Sequence, residues 1–386
     1  MPSPICERAI EDAIKYRKAI LKFISANDVG VTGGHQYGYY LPKEIWYLFS
    51  PNPPEKGVNR DHPVVVTWQD GRVTDSTVKW YGNKSRYEFR ITGFGRDFPY
   101  RTFDNLGDLL VLIPKSINEF FAYVLDIGED IDEIQTALGV NIIQTWAAYE
   151  EGKAQEETED LCLNKHFREI TESMEEFPQV RIFSGLVRDA ILDCIPRFID
   201  IKADAQLIRL VEEEYTLYKM VERKIYQPEI QRLFTSINDF LKTAQSILQA
   251  RKSRAGRSLE NHVEYLLVQS GIPHQMRPIV DNTAPDIIIP SKAAYEDLAY
   301  PREKLFVIGV KTTCKDRWRQ VLKEAPKIER KHILTLQSGI TVTQLAEMEI
   351  SKVTLIVPES LHKEYPAEKR PISIQKFLDD LKKVYV

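Results

Sequence analysis

Residues 284–289 (Ala-Pro-Asp-Ile-Ile-Ile) and 305–311 (Leu-Phe-Val-Ile-Gly-Val-Lys) decide the fold of the second half of the chain. Each is a short apolar run rich in β-branched residues, which is typical of a strand buried on both faces. Asp286 begins the first strand and Lys311 ends the second. A carboxylate at the start of one strand and an amine at the end of the next can meet at one edge of a sheet.

The sequence around these strands predicts α/β layers. Helical spacing of apolar residues marks 203–250 and the amphipathic run 259–267, and a shorter helix is predicted over 318–324. Another buried strand, 352–357, is closed by Pro358. The order helix, strand, strand, helix, strand after residue 256 is typical of an α/β arrangement.

The acid and the amine suggest metal-assisted phosphodiester hydrolysis. We expect Asp286 to bind Mg²⁺, a hard cation that prefers carboxylate oxygen and keeps several waters. Lys311 would orient or help deprotonate the attacking water and offset charge on the scissile phosphate. This layout resembles that of the PD-(D/E)xK nucleases, although a Pro-Asp and a later strand lysine also occur together by chance.

One position departs from that layout. The second acid of the pattern stands two residues before the lysine, where this chain has Gly309. Glu324, on the following helix, is the replacement candidate, because a glycine leaves room for a carboxylate that reaches over from that helix. Glu260 on the preceding helix would supply a further acid, with Glu264 as its backup. The alternative is that these glutamates are ordinary solvated helix acids.

The segment after Lys311 carries several long hydrogen-bond donors and one acceptor, in the run Thr-Thr-Cys-Lys-Asp-Arg-Trp-Arg-Gln over 312–320. Arginine can bind guanine O6 and N7 together, and aspartate can accept from cytosine N4. Lys315, Asp316 and Arg317 are therefore candidates for reading G·C pairs. The alternative is a basic helix start with Asp316 as its N-cap.

The first half of the chain has a different texture. Residues 1–24 are predicted to form a helix, and from about 37 to 125 short β-rich runs alternate with Gly and Pro, which indicates a compact all-β unit. Within 83–90 the alternation places four polar side chains on one strand face, a pattern that suits a DNA groove but also suits a solvated face. These four are Lys84, Arg86, Glu88 and Arg90.

Length and charge set further bounds. The chain has 386 residues, enough for two or three domains, and a net charge of −4. Residues 251–386 carry 23 Lys/Arg against 17 Asp/Glu, whereas residues 121–180 carry 3 against 15. The polar stretch 150–177 is predicted to be a linker, either irregular or helical. This asymmetry points weakly to a part that binds a polyanion beside an acidic part.

Two global patterns concern the cellular setting. The four cysteines are scattered without a Cys-x-x-Cys pair, which argues against a disulfide scaffold or a structural zinc site and fits a reducing cytosol. No apolar run approaches the roughly 18–20 residues that a membrane span needs. We therefore expect a cytoplasmic protein without a membrane partner.

Three runs in the second half resemble the catalytic domain of EcoRII-type restriction endonucleases: Arg-Lys-Ser-Arg-Ala-Gly-Arg-Ser-Leu-Glu at 251–260, Val-Lys-Thr-Thr-Cys-Lys-Asp-Arg-Trp-Arg-Gln at 310–320 and Leu-His-Lys-Glu-Tyr-Pro at 361–366. The likeness extends over roughly 203–386. It implies a metal-binding and catalytic set, a base-reading stretch and a tyrosine near the active site. These fall on Asp286, Lys311, Glu324 and Glu260, on Lys315, Asp316 and Arg317, and on Tyr295.

The N-terminal run Ser-Ala-Asn-Asp-Val-Gly-Val-Thr-Gly-Gly-His-Gln at 25–36, followed by Tyr40, resembles the effector domain of the same family. In that family, this domain is a β-pseudobarrel that binds a second copy of the target DNA sequence. Phe89 stands where the family has a lysine, which would weaken a phosphate contact or alter base preference. The DNA contacts implied by the resemblance fall on His35, Tyr40, Lys84, Arg86, Glu88 and Arg90.

These observations predict an α+β multidomain protein: an effector pseudobarrel over 1–150, an acidic linker over 151–202, and a PD-(D/E)xK nuclease domain of α/β type over 203–386. The resemblance implies a Mg²⁺-dependent, homodimeric type II restriction endonuclease acting on double-stranded DNA. Its site would be a short C/G-rich palindrome, 5′-CCWGG or a relative, and its effector domain would autoinhibit.

The resemblance also implies that Arg209 stacks on a flipped base, with an ordinary helical role as the alternative. A cognate DNA methyltransferase is expected genetically rather than as a bound partner, in a prokaryotic cytoplasm. The rival interpretations are a non-catalytic DNA-binding regulator on a degenerate nuclease scaffold, and a nicking or repair nuclease without base specificity.

Overall fold

The computed structural model describes residues 2–30, 38–50, 52, 55, 57–82, 88–95, 97–140, 142, 145–151, 161–195, 197–315, 317–337, 339–366 and 370–385. The chain forms two compact units. The first comprises 1–151 with two later stretches, 337–346 and 363–370, and the second comprises 152–336, 347–362 and 371–386.

The first unit opens with helix α1 (Pro4–Tyr16), whose N-cap Ser3 accepts a hydrogen bond from the Cys6 amide. The helix stops at Arg17, which has a left-handed φ of 60°. The predicted helix over 1–24 is therefore wrong beyond Tyr16, because Lys18–Phe23 forms strand β1. The apolar run there is buried on both faces of a sheet, and such a run mimics helical spacing over a short window.

Eight strands make one sheet in the order β2-β5-β4-β3-β7-β6-β1-β8, antiparallel throughout except between β3 and β7. The remaining elements of this unit are β2 (Tyr39–Leu41), β3 (Arg60–Trp68), β4 (Val73–Tyr81), β5 (Glu88–Thr92), β6 (Leu109–Pro114), β7 (Glu119–Leu125), α2 (Gly128–Leu138) and β8 (Trp146–Glu150).

The sheet curls around one apolar cluster. Residues from β1 to β7 enter this cluster together, among them Ile20, Tyr39, Trp68, Phe89 and Phe120. Strands far apart in the sheet can share one core only if the sheet bends around it. A second cluster lies on the other face, where α1 and α2 cover β1, β6 and β7. The predicted all-β unit is therefore present, with two helices packed on its outer face.

The second unit begins with four helices: α3 (Leu161–Ser173), α4 (Val180–Cys194), α5 (Ala203–Gln231) and α6 (Ile237–Gln269). The segment expected to be an acidic linker, 151–202, holds α3 and α4 instead. Phe167, Phe183 and Leu217 lie in one buried cluster that joins α3, α4 and α5. This packing was not predicted, because the apolar residues of an amphipathic helix are sparse in a charged sequence although they share one face of the helix.

A disulfide joins Cys162 and Cys194, whose Cα atoms are 5.7 Å apart and which are 32 residues apart in sequence. The expectation of no disulfide is wrong at this pair. No local spacing could reveal it, because the packing of α3 on α4 brings the two cysteines together.

A five-stranded sheet follows, in the order β13-β12-β11-β10-β9. Strand β11 runs parallel to β12 and antiparallel to β10. The remaining helices and strands are β9 (Gln275–Met276), β10 (Ile287–Ile289), α7 (Lys292–Glu296), β11 (Phe306–Lys311), β12 (Lys331–Thr335), α8 (Val342–Ile350), β13 (Val353–Ile356) and α9 (Ile374–Tyr385).

The predicted strands at 286–289, 305–310 and 352–357 correspond to β10, β11 and β13. The predicted helix over 318–324 is a 3₁₀ helix, Arg317–Lys323. Strand β12, in the interior of the sheet, was missed. Among the described residues, no helix combines the length and the apolar character that crossing a membrane requires.

Candidate active site

Asp286 and Lys311 meet at one edge of the five-stranded sheet, as their positions in the sequence predicted. Strands β10 and β11 are antiparallel with Ile287 opposite Ile308, so the start of one lies beside the end of the other. The Lys311 Nζ donates to Asp286 Oδ2 over 2.8 Å. The Val310 amide donates to the same oxygen, also over 2.8 Å. The carboxylate is thus held by the backbone of the strand that carries the amine.

Glu324 directly follows the 3₁₀ helix that links β11 to β12. Burial raises the pKa of its carboxyl; the positive charge of Lys311 opposes the shift and the negative charge of Asp286 adds to it. Its Oε2 is buried and accepts no hydrogen bond from any described residue. A buried carboxylate oxygen without a donor is costly unless a cation or a proton satisfies it. The structure therefore brings the three predicted residues into one electrostatic group.

Gly309 explains how the chain accommodates that arrangement. A Cβ at this position would lie 3.2 Å from Cγ2 of Val321, which is tighter than ordinary van der Waals contact. The space that the missing side chain leaves is occupied by Val321, one turn before Glu324. The glycine therefore lets the 3₁₀ helix pack on β11, and the acid comes with that helix.

Glu260, on α6, forms two hydrogen bonds with one arginine. Arg277 Nε donates to Glu260 Oε2 over 2.8 Å and its Nη2 donates to Oε1 over 2.6 Å. This bond also raises the pKa of the arginine. Glu260 is buried, whereas the arginine side chain is 48% exposed. Both oxygens of the predicted helix acid are thus engaged. Its backup, Glu264, pairs with Arg181 over 2.8 Å.

Two residues hold the segment that carries Glu324. Tyr295 is fully buried, donates to Asp281 Oδ2 over 2.6 Å and accepts from the Lys327 amide over 3.2 Å. Lys331, on β12, donates to the backbone carbonyl of Glu324 over 2.6 Å. Burial lowers the pKa of this lysine to about 8, which the nearby Glu324 charge opposes. The Tyr295 hydroxyl therefore binds the loop after Glu324. Within the described part of the chain, it forms no hydrogen bond with Asp286 or Lys311.

Sequence reasoning missed Arg277 and Lys331. Arg277 directly follows the two-residue strand β9, and its amide donates to the Asp286 carbonyl over 2.8 Å. Lys331 lies within the overlooked strand β12. Only the pairing of β9 and β12 into the sheet places these cations beside the acids, so no short motif could mark them.

The donor set suits a hard divalent cation. Asp286 and the orphaned Glu324 Oε2 supply carboxylate oxygens, and such a pair leaves the other positions of an octahedral ion to water and phosphate oxygens. Among the described residues, one group of three acidic, thiol or imidazole side chains lies close enough together to hold a metal ion, and Glu260, Asp286 and Glu324 do not form it. Asp286 and Glu324 are therefore the two carboxylates here that could hold a divalent ion.

The structure describes two of the three predicted base-reading residues, Lys315 and Arg317. Lys315 is only 9% exposed and Arg317 is half-buried at the start of the 3₁₀ helix, while Asp316 lies outside the described residues. Trp318 is buried beside them. In this structure Lys315 is therefore buried, and its contact with a base stays a prediction.

The predicted effector contacts are also partly visible, since His35, Lys84 and Arg86 lie outside the described residues. Tyr40 lies opposite Arg90 where β2 pairs with β5. Arg90 is only 2% exposed; its Nε donates to Glu88 Oε1 over 2.9 Å. Arg90 is thus covered, on the face of β5 opposite the core side chains of Phe89 and Ile91, and its DNA contact stays a prediction.

Phe89 and Arg209 are both among the described residues. Phe89 packs on Trp80 with ring centroids 4.7 Å apart, in the core of the curled sheet. Because its ring faces the core, Phe89 itself offers no contact to a phosphate, and the weakened phosphate contact or altered base preference stays a prediction. Arg209, on α5, donates to Glu213 over 2.9 Å and remains 38% exposed, a contact within one helix.

Comparisons with known proteins agree with this architecture. A family profile described as the EcoRII C terminal matches residues 218–378, and one described as restriction endonuclease EcoRII, N-terminal, matches 13–155. The type II restriction enzyme EcoRII of Escherichia coli is 33% identical over 95% of this chain and 94% of that enzyme. The chain belongs to the EcoRII family of type II restriction enzymes. It is thus a DNA-binding endonuclease, and the predicted fold class is confirmed.

More distant relatives share parts of the chain. The type II restriction enzyme SsoII of Shigella sonnei is 26% identical over 149 residues, which are 35% of this chain and 47% of that enzyme. Two solved structures, Ecl18kI with uncleaved, modified DNA and PspGI with substrate DNA, show TM-scores of 0.45 and 0.44 at 17% and 19% identity. They cover 57% and 54% of this chain and 83% and 93% of their own.

The raised pKa of Glu324 predicts a pH-dependent stability change. Because the folded state favours the protonated acid, the charged form destabilises the metal-free fold at pH values above the raised pKa. Glu324→Gln should therefore raise the melting temperature of the metal-free chain at pH 7.5. The gain should shrink as the pH falls through the raised pKa and vanish below the ordinary value. Melting curves in chelator across this range test it, with the exposed Glu296→Gln as control; an equal gain at every pH would contradict the prediction.

The Glu260–Arg277 pair predicts a measurable coupling. Arg277→Gln leaves a buried carboxylate without its partner and should cost about 1–3 kcal/mol of unfolding free energy. The double variant with Glu260→Gln should cost less than the two single variants added together, by about 1 kcal/mol. Urea unfolding of the four proteins measures this. Strict additivity would show that the two side chains do not interact in solution.

Proposed function

We propose that this protein is a Mg²⁺-dependent type II restriction endonuclease that hydrolyses double-stranded DNA at a short C/G-rich palindrome, 5′-CCWGG or a relative. The observation that carries the proposal is the Asp286–Lys311 contact of 2.8 Å beside the orphaned Glu324 carboxylate oxygen. The resemblance of 251–260, 310–320 and 361–366 to the family supports the recognition sequence. A homodimer follows from the symmetry of a palindrome.

The residues divide the chemistry between them. Asp286 and Glu324 would hold the metal ion, which would supply Lewis-acid chemistry for phosphodiester hydrolysis by water. Lys311 lies against Asp286 and presents its positive charge toward the phosphate, where negative charge develops in the transition state. The Val310 amide keeps Asp286 oriented, so the carboxylate does not need to reorganise. The product carries a 5′-phosphate.

Lys311→Ala should abolish cleavage while it leaves sequence-specific binding in Ca²⁺ intact. Loss of one electrostatic contact to the transition state costs about 10²–10³-fold in rate, and here the lysine also orients a metal-binding acid. Plasmid digestion with and without Mg²⁺ and gel-shift binding in Ca²⁺ measure the two effects. Lys383→Ala, on the exposed end of α9, is the matched control. Substantial cutting by Lys311→Ala would overturn the assignment.

The recognition sequence needs its own experiment. Sequencing the fragment ends from a digest of a known genome identifies both the site and the cleaved bond. Ends that begin with CCWGG support the proposal, whereas random ends would indicate a nuclease without base specificity. Absence of any Mg²⁺-dependent cutting by the intact chain would leave a DNA-binding regulator. The same proposal includes a prokaryotic cytoplasm and a cognate methyltransferase encoded nearby.

Base flipping at the centre of the site is part of the proposal, with Arg209 as the stacking residue. Unstacking costs a few kcal/mol, which a cation over the flipped base helps to offset. The guanidinium is 38% exposed on α5 and is held by one ion pair, to Glu213, so it can reorient toward a base.

Autoinhibition by the N-terminal domain rests on contacts inside the first unit. Gln337 Nε2 donates to the Gly107 carbonyl over 3.2 Å, and Tyr365 donates to the Gln337 carbonyl over 2.6 Å. Gly107 has a φ of +82°, and a Cβ there would lie 2.2 Å from the Gly339 carbonyl oxygen. Gln337, from the nuclease part of the sequence, is thus hydrogen-bonded to the turn before β6, and Tyr365 is hydrogen-bonded to Gln337.

Gly107→Ala should weaken this attachment and speed cleavage of a one-site substrate. Gly71→Ala is a matched control, since Gly71 has nearly the same φ, +84°, and open space around it. Initial rates on one-site and two-site plasmids measure the effect. If Gly107→Ala cuts the one-site plasmid no faster than Gly71→Ala, these contacts do not inhibit the enzyme.

A further inference from the structure

A cysteine–histidine cluster lies in the second unit, outside the DNA-cleaving residues. Cys162 and His166 are four residues apart on α3, which places them on the same face of the helix. Cys194 is the last residue of α4. The two sulfurs and an imidazole nitrogen lie within 4.8 Å of one another. In the described part of the chain, no other three acidic, thiol or imidazole side chains come this close.

The donors match a borderline-soft divalent ion better than they match Mg²⁺. Zn²⁺ prefers thiolate and imidazole, with Zn–S near 2.3 Å and Zn–N near 2.0–2.1 Å, whereas Mg²⁺ takes oxygen. Two thiolates of a tetrahedral zinc site stand about 3.8 Å apart. The Cα separation of 5.7 Å between Cys162 and Cys194 is short enough for both side chains to reach one ion.

We propose that the reduced Cys162–Cys194 pair and His166 bind one Zn²⁺, with water as the fourth ligand. Reduction takes two electrons and two protons from a thiol reductant, which becomes a disulfide, and the S–S bond breaks to two thiols. Both thiols then lose their protons as the sulfurs bind the ion. The disulfide and the zinc site cannot coexist, because the sulfurs bind the ion as thiolates and a disulfide contains none.

His166 distinguishes this proposal from a plain disulfide. A disulfide between Cys162 and Cys194 needs no imidazole, so His166 has no part in it. A zinc site of three protein ligands loses a third of its protein donors when the histidine is removed. Bond and ion have the same mechanical effect, because either one joins the first turn of α3 to the end of α4, and this stabilises the helical part of the second unit.

The full-length chain, reduced with a phosphine and freed of metal, is titrated with Co²⁺ as a spectroscopic substitute and with Zn²⁺ against a chromophoric chelator. Glu324→Gln serves as the background, so that the carboxylate pair does not compete. One equivalent of Co²⁺ should produce thiolate-to-metal charge-transfer absorption in the near ultraviolet, and Zn²⁺ should bleach it. The oxidised chain should show no such band.

His166→Ala should weaken Zn²⁺ binding by at least about tenfold, since even partners outside the ligand set cost 10–100-fold when removed. Cys162→Ser and Cys194→Ser should each weaken it at least as much. Cys6→Ala, which removes a buried thiol in the first unit, should change nothing. Zn²⁺ affinity unchanged by His166→Ala, or no charge-transfer band in the reduced chain, would overturn the proposal.

A measurement on the unaltered chain guards against variants that fail to fold. Zn²⁺ should protect Cys162 and Cys194 from alkylation in the reduced protein, as read by mass spectrometry of the digested peptides. Equal labelling of these two cysteines with and without Zn²⁺ would also reject the site. Mg²⁺ at the same concentration should give no protection.

Discussion

The contact between Asp286 and Lys311 is the interaction on which the rest of the candidate active site depends. It joins two antiparallel strands at the point where their side chains leave the apolar interior, and the amide of Val310 fixes the same oxygen. Opposite charges at this position stabilise each other where water is partly excluded. Everything else in the site, including the glutamate that approaches from the 3₁₀ helix, is arranged around a pair that the sheet itself holds.

Much of this arrangement could be predicted from the chain alone. The runs at 286–289 and 305–311 are apolar and β-branched on both faces, and their ends carry the acid and the amine. Because neighbouring strands bring such ends together, the pair followed from sequence order. The relocated glutamate followed from the glycine at 309 together with the family resemblance. Val321, whose side chain occupies that space, was not part of the expectation.

The parts that could not be predicted have a common physical cause. Strand β12 contains Lys331 and His332, which are buried and break the apolar pattern; burial lowers the pKa of His332 to about 4, so this ring is neutral in the interior. The packing of α3 and α4 into the second unit, the Cys162–Cys194 bond and the Arg277–Glu260 pair all depend on contacts between distant segments. Arg90 is buried although it lies on the polar face of β5, opposite Phe89 and Ile91, so the alternation predicted its face but not its burial.

The 3₁₀ helix Arg317–Lys323 begins at a candidate base-reading residue, Arg317, and ends directly before Glu324. In the common arrangement of such nucleases the second acid stands on the strand beside the lysine and moves with the sheet. Here Glu324 directly follows the 3₁₀ helix that begins at Arg317, so the acid and a candidate base-reading residue share one short piece of backbone. The position of this acid is therefore set by the seven-residue 3₁₀ helix rather than by the strand that carries Lys311.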